Sequence, residues 1–358
     1  MNRAGVDAAL DALFVPFALA DLDFPVDGRT LFLRARVGSW VQAWPRERFL
    51  CVQTFKPFAD ALTQAGVATI DARSDDPLDT DGCFPRVLLL PPRQREEARA
   101  LFARAVRCAA PDGMVVASVA NSEGARSAEA DLEKLVGPVR TLSKHKCRVF
   151  WVTLAKANVN AALLDEWTVL DAPRTIVGGR YVSQPGLFAW DRIDPASALL
   201  ASLLPATLAG RVADLGAGYG YLATEVLRRC PAVSAIDLYE AEQRALEPAR
   251  INLERAVQGA VRDIAFDILW HDVKTGLPKR YDAIVCNPPF HQGRADQPEL
   301  GQAFIAAAAN ALSDDGSLWL VANRHLPYEV TLAARFGQVN TRATQHGFKV
   351  FEARNPRR

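Results

Sequence analysis

The chain repeats itself, and a repeat of this length leaves few folds open. RVLLLPP (86–92) is followed by a helical stretch, a PDG turn and MVVASVAN (114–121). About 200 residues later AIVCNPP (283–289), a helical stretch, a DDG turn and SLWLVAN (317–323) come in the same order. Pro91-Pro92 falls against Pro288-Pro289, Asp112-Gly113 against Asp315-Gly316, and Asn121 against Asn323. GPVRTLSKHKCRVFW (137–151) extends the match to GQVNTRATQHGFKVFE (337–352). A duplicated domain accounts for four matches in one order, and 358 residues suffice for two domains with separate cores. The Gly- and Pro-rich stretch APRTIVGGRYVSQPG (172–186) marks the boundary, giving domains 1–175 and 176–358.

In the second copy, short apolar runs alternate with amphipathic helices, the pattern of a mostly parallel sheet covered on both faces. Strands are expected at Arg211–Leu215, Val233–Tyr239, Ile264–Trp270, Tyr281–Cys286 and Ser317–Ala322. Helices are expected at Tyr221–Arg229, Glu242–Val257, Glu299–Leu312 and Tyr328–Phe336. His346-Gly347 joins two final strands, Val339–Gln345 and Phe348–Ala353, into a hairpin. The expected class is α/β: two tandem Rossmann-like domains with a seven-stranded sheet that ends in an antiparallel hairpin.

VADLGAGYGY (212–221) sets Gly216, Ala217, Gly218 and Gly220 between a strand and a helix, where the backbone can approach a ligand closely. Asp214, just before this loop, would repel a pyrophosphate but suits an amino-acid head group and a positive sulfonium. Glu240, past the end of the second strand, is preferred over Asp237 for accepting ribose hydroxyls. Asp272, with Val273 beside it, follows the third strand and suits the 6-amino group of an adenine. Three acids at the carboxyl ends of consecutive strands point to S-adenosylmethionine as the cofactor.

Asn287-Pro288-Pro289-Phe290 ends the fourth strand. Two prolines stiffen the segment. The Asn287 side chain and the Pro288 backbone then offer carbonyls to a planar amino group, and Phe290 offers a ring on which a base can stack. A conjugated amino group is a weak nucleophile. Two carbonyl acceptors hold it and favour the tetrahedral geometry it needs for attack on a methyl sulfonium. The same tetrapeptide chemistry serves adenine in DNA or RNA and a protein glutamine amide. A non-catalytic RNA-binding or assembly factor with a relic pocket is a third reading, against which the intact motifs speak.

These motifs resemble the class I S-adenosylmethionine-dependent methyltransferases with a small methyltransferase domain. The duplicated chain is similar to the ribosomal RNA guanine 2-amino methyltransferases of the RsmC/RlmG type. GLFAWDRIDPASALLASLLP (186–205), VADLGAGYG, IVCNPPFHQG, LWLVANRHLPYE (318–329) and FKVFEAR (348–354) carry the likeness, and residues 111–138 resemble the family's catalytically inert first domain. The resemblance implies that Asp214, Gly216 and Gly218 line the methionine, Glu240 holds the ribose and Asp272 the adenine. It implies that Asn287, Pro288 and Phe290 receive the guanine, and that Phe188 and Asp194 close over the site. It further implies ribosomal RNA or a ribosomal subunit as partner, with 16S preferred to 23S RNA.

The first copy is expected to lack a glycine loop near Leu50, and it has Leu90 and Arg93 where Asn287 and Phe290 lie. Its basic residues include Arg93, Arg95, Arg99, Arg104 and Arg107, and Lys144, Lys146 and Arg148 are the expected RNA-binding residues. Net charge excludes little: it is +1, with 23 basic and 22 acidic side chains in residues 1–180. Such a balance conceals any local basic face. The six cysteines, with no CxxC, read as buried thiols in a reducing compartment, with no metal site. No apolar run reaches membrane-spanning length, and the acid-bearing N-terminus does not read as a signal peptide. A monomeric cytoplasmic protein is expected.

Overall fold

The computed structural model describes residues 7–24, 27–70, 82–258, 264–289, 291–292, 295–296 and 298–357. The chain divides into two compact units, Met1–Ala172 and Pro173–Arg358. The first unit holds β1 (Thr30–Leu33), β2 (Phe49–Val52), β3 (Ala68–Ile70), β4 (Phe84–Leu89), β5 (Ala109–Ala120), β6 (Arg140–Lys144) and β7 (Cys147–Thr153). They form one sheet in the order β3-β2-β1-β4-β5-β7-β6.

The second unit opens with a small hairpin, β8 (Arg174–Ile176) against β9 (Tyr181–Ser183). Its sheet comprises β10 (Ala209–Leu215), β11 (Ala232–Glu240), β12 (Ala265–Trp270) and β13 (Tyr281–Cys286). After a two-residue pair, β14 (His291–Gln292) with β15 (Ala295–Asp296), come β16 (Leu312–Asn323), β17 (Phe336–Gln345) and β18 (Phe348–Pro356). The order β12-β11-β10-β13-β16-β18-β17 repeats that of the first unit strand for strand. Both expected features, the duplicated Rossmann-like sheet and its closing antiparallel hairpin, are present in each unit.

Alternation along the central strands explains why the sheet is covered twice. Val212 packs in one core cluster with Ile236, Leu238 and Val285, whereas Ala213 and Leu215 pack in the other with Tyr239 and Ile284. Each face is therefore closed by helices, and near-continuous apolar strands result. The closing hairpins turn through left-handed residues in both units: His346 and Gly347 at φ 52° and 84°, His145 and Lys146 at φ 51° and 58°. Positive φ at both central residues matches the twist of the flanking strands.

Three readings of the sequence shift. β11 runs through Glu240, which is paired with Trp270, so the strand ends one residue later than expected. The helix expected from Glu242 begins as a 3-10 turn, Gln243–Ala245, before the α-helix Leu246–Gln258. Strand register sets Met114 opposite Arg86 as it sets Ser317 opposite Ala283, which aligns Asn121 with Arg324 instead of Asn323. Five cysteines are buried and Cys83 is exposed.

Candidate active site

The carboxyl ends of β10, β11, β12 and β13 form one edge, along which Asp214, Glu240, Asp272 and Asn287 lie. Leu215 is paired with Tyr239 on one side and Cys286 on the other, so the glycine loop and Asn287 leave the sheet level with Glu240, the last residue of β11. The loop is tied down by its own backbone: the Gly216 and Ala217 amides both donate to the Tyr239 carbonyl, at 2.8 and 3.2 Å.

The glycines do different work. Gly220, at φ +84°, begins the helix Tyr221–Arg229, and a Cβ there would lie 3.2 Å from Leu253 Cδ1 and 3.5 Å from Ala249. It serves helix packing. Gly218 is also left-handed, at φ +54°, but a Cβ there would meet nothing within 4 Å. The space beside Gly218 is a cradle open to a ligand.

Glu240 accepts the Gly218 amide on one oxygen and the Glu242 amide on the other, both at 2.7 Å. Each carboxylate oxygen keeps a further lone pair, so two hydroxyls can still be accommodated. Burial raises the Glu240 pKa above the ordinary carboxylate range. Asp214 is fully buried; its Oδ2 accepts the Ala223 amide at 3.0 Å, and its Oδ1 has no hydrogen-bond partner. Burial, aided by the nearby charge of Glu240, pushes its pKa up to about 7. An orphaned buried carboxylate oxygen beside an open glycine cradle fits a ligand with a positive charge.

Asp272 caps the 3-10 turn Val273–Thr275 by accepting the Lys274 amide at 3.0 Å. The Val273 side chain is 2% exposed and packs in the core, so its backbone is the part that remains for a ligand. Asp237 belongs to a different set. Its Oδ2 accepts the Tyr281 hydroxyl at 2.8 Å and the Lys279 ammonium at 3.0 Å. That engagement supports the preference for Glu240.

Asn287 stands half-buried at the end of β13, followed by buried Pro288 and exposed Pro289. Its Nδ2 donates to Ser197 Oγ at 2.8 Å and to Asp194 Oδ2 at 3.1 Å. Asp194 is the N-cap of the helix Pro195–Leu203. Phe290 lies outside the described residues. Phe188 is 62% exposed on the segment before that helix. The segment packs onto the glycine loop: Tyr219 clusters with Ile176, Tyr181 and Leu187, and its hydroxyl donates to the Arg192 carbonyl. Asn252 binds both parts, its Nδ2 donating to the Val182 and Tyr219 carbonyls at 2.8 Å. Sequence reading missed Tyr219, Asn252 and Ser197. For Ser197 a local signal existed, because Asp194-Pro195-Ala196-Ser197 reads as a helix start.

The first unit carries the same edge with other residues. Leu33 is paired with Val52 as Leu215 is with Tyr239, so Gln53 stands where Glu240 does, Phe32 where Asp214 does and Arg34 where Gly216 does. The loop equivalent to the glycine loop is thus 34–39, after β1, and not near Leu50, which lies within β2. Gln53 is buried; its amide donates to the Ala35 carbonyl at 2.6 Å and accepts the Phe55 amide at 2.9 Å. Leu90 is buried at the position of Asn287. Lys144 and Lys146 are exposed on the β6–β7 hairpin, whereas Arg148 is ion-paired with Glu129. Arg95 and Arg99 both bind Asp131 and so are engaged in holding helices together. Among the described residues no cluster of three His, Cys, Asp or Glu side chains could hold a metal, and no helix is long and apolar enough to cross a membrane.

Comparison with known proteins identifies the family. The methyltransferase small domain family model matches residues 178–352. A ribosomal RNA small subunit methyltransferase C of Pseudomonas aeruginosa is 30% identical over 295 residues, covering 80% of this chain and 86% of its own. One from a Shewanella species is 30% identical over 270 residues, covering 75% and 76%. The solved T. thermophilus 16S rRNA N2 methyltransferase RsmC, in complex with AdoMet and guanosine, superposes with a TM-score of 0.76 at 23% identity. That likeness covers 99% of this chain and 93% of that one, and it speaks to the fold of both units. The resemblance drawn from the motifs is borne out: this chain belongs to the ribosomal RNA small subunit methyltransferase C family.

Proposed function

We propose that the second unit transfers a methyl group to the exocyclic 2-amino group of a guanine in 16S ribosomal RNA, and that the first unit contributes RNA contacts. The observation that carries the reading is a juxtaposition: an open, acid-flanked glycine cradle and the Asn287-Pro288-Pro289 segment leave adjacent strands at one edge. Asp214 and the Gly216–Gly218 backbone hold the methionine part of the cofactor, Glu240 the ribose, and Asp272 with the Val273 backbone the adenine. When bound, S-adenosylmethionine supplies a methyl carbon made electrophilic by a positively charged sulfur.

The chain's own residues then act on the guanine. Asn287 Oδ1 and the Pro288 carbonyl accept the two N–H bonds of the amino group, which turns its lone pair out of conjugation with the ring. The positive charge that develops on the nitrogen strengthens both hydrogen bonds as the reaction proceeds. The proton leaves afterwards to solvent, so no strong base is needed. Phe188 and Phe290 offer faces for the extruded base, and Lys144 and Lys146 grip phosphates. The protein works as a cytoplasmic monomer on a base turned out of its stack.

Asn287→Ala is the direct test. Methyl transfer to ribosomal RNA should fall by about a hundredfold or more, the scale of a lost transition-state acceptor. Calorimetry should find cofactor affinity within a few-fold of wild type. Retained transfer in this variant would refute the assignment.

A further inference from the structure

An asparagine amide has a donating end and an accepting end, and rotation about its last bond exchanges them. For Asn287 the choice decides the chemistry, since only Oδ1 can accept from a target amino group. Two acceptors stand on the other side. Nδ2 donates to Ser197 Oγ at 2.8 Å and to Asp194 Oδ2 at 3.1 Å. A carboxylate accepts and does not donate, so a reversed amide would set oxygen against oxygen.

Both acceptors belong to one first turn. Asp194 Oδ2 also accepts the Ser197 amide at 2.8 Å, the ordinary N-cap bond of the helix Pro195–Leu203, and Pro195 presets that turn. Capping requires only the Ser197 backbone. The Ser197 hydroxyl adds nothing to the cap, yet the residue is buried at 8% exposure and reaches across to the end of β13.

We infer that Ser197 is a positioning residue: with Asp194 it fixes the Asn287 amide so that Oδ1 faces the amino group to be methylated. The inference rests on the proposed role of Asn287 and adds a residue to it. Ser197 touches neither cofactor nor base in this account; it acts through Asn287.

The experiment compares variants of the full chain by single-turnover methyl transfer to 16S RNA and by calorimetry with S-adenosylmethionine. Ser197→Ala should slow transfer about tenfold, because small misplacements of an acceptor carry large rate costs. Its cofactor affinity should stay within about twofold of wild type, and Ser197→Thr should recover the rate to within about threefold. A second variant pair tests the polarity of the contact. Asn287→Asp sets two carboxylates against each other, and adding Asp194→Asn restores one donor and one acceptor while keeping a competent helix cap. The double variant should be at least about tenfold faster than Asn287→Asp alone. The inference is overturned if Ser197→Ala transfers at the wild-type rate, or if it loses cofactor affinity in step with rate. A double variant no faster than Asn287→Asp also overturns it. Wild-type protein that transfers no methyl group to guanine would instead bring down the assigned reaction, an outcome separable from these.

Discussion

At the scale of single residues, Asp214 makes the sharpest prediction. Its carboxyl is buried beside Glu240 and its pKa is raised to about 7. A carboxyl raised in the folded state stabilises the empty fold below its unfolded pKa, and that contribution is lost as pH rises through about 7. A cationic ligand favours the ionised form, so binding should release a proton. Cofactor affinity should therefore rise about tenfold between pH 6 and pH 8. Calorimetry in two buffers of different ionisation enthalpy reads that proton; a flat affinity with no buffer dependence would contradict it. The placement of Asp214, Glu240, Asp272 and Asn287 along one edge was legible because a strand's end can be found from its apolar run, and open α/β sheets bind ligands at that end. Ser197 was not legible as a partner of Asn287, since the two are 90 residues apart and only the fold brings them together. For Val273 the sequence gives adjacency to Asp272, and only the fold shows that its side chain turns into the core and leaves its backbone at the edge.

At the scale of elements, the glycine loop separates packing from binding. Alanine at either Gly218 or Gly220 takes on left-handed strain of about 1–2 kcal/mol. Gly220→Ala must also displace Leu253, so it should cost about 1 kcal/mol more than Gly218→Ala in urea unfolding. Gly218→Ala should instead carry the larger loss of cofactor affinity, its methyl entering the open cradle. Equal stability and equal affinity in the two variants would remove the distinction. The second unit's elements were read to within a few residues because its strands are long and its helices amphipathic. The first unit resisted. β1 has four residues, Thr30–Leu33, too few to stand out, so the loop after it is not the one the sequence suggests near Leu50. The His145-Lys146 turn is left-handed without a glycine, so only its alignment with His346-Gly347 reveals it.

For the whole molecule, duplication is the governing fact. The two sheets share strand order, while the acid, the amide and the glycine of one edge become Gln53, Leu90 and Arg34 in the other. Gln53 ties its amide to Ala35 in the first unit's equivalent loop, 34–39, whereas Glu240 accepts the Gly218 amide in the second. A net charge of +1 sums over both units and says little of either. Lys144→Glu with Lys146→Glu should weaken RNA binding and flatten its salt dependence by about 0.7–0.9 for each phosphate no longer neutralised. An unchanged slope would remove that hairpin from the RNA interface.

The central claim is the identity of the methylated atom, and nucleoside mass spectrometry of 16S ribosomal RNA tests it most directly. RNA from a strain lacking this gene should have lost one 2-methylguanosine, restored by the wild-type gene and not by Asn287→Ala. A full complement of 2-methylguanosine in the deletion strain would contradict the account.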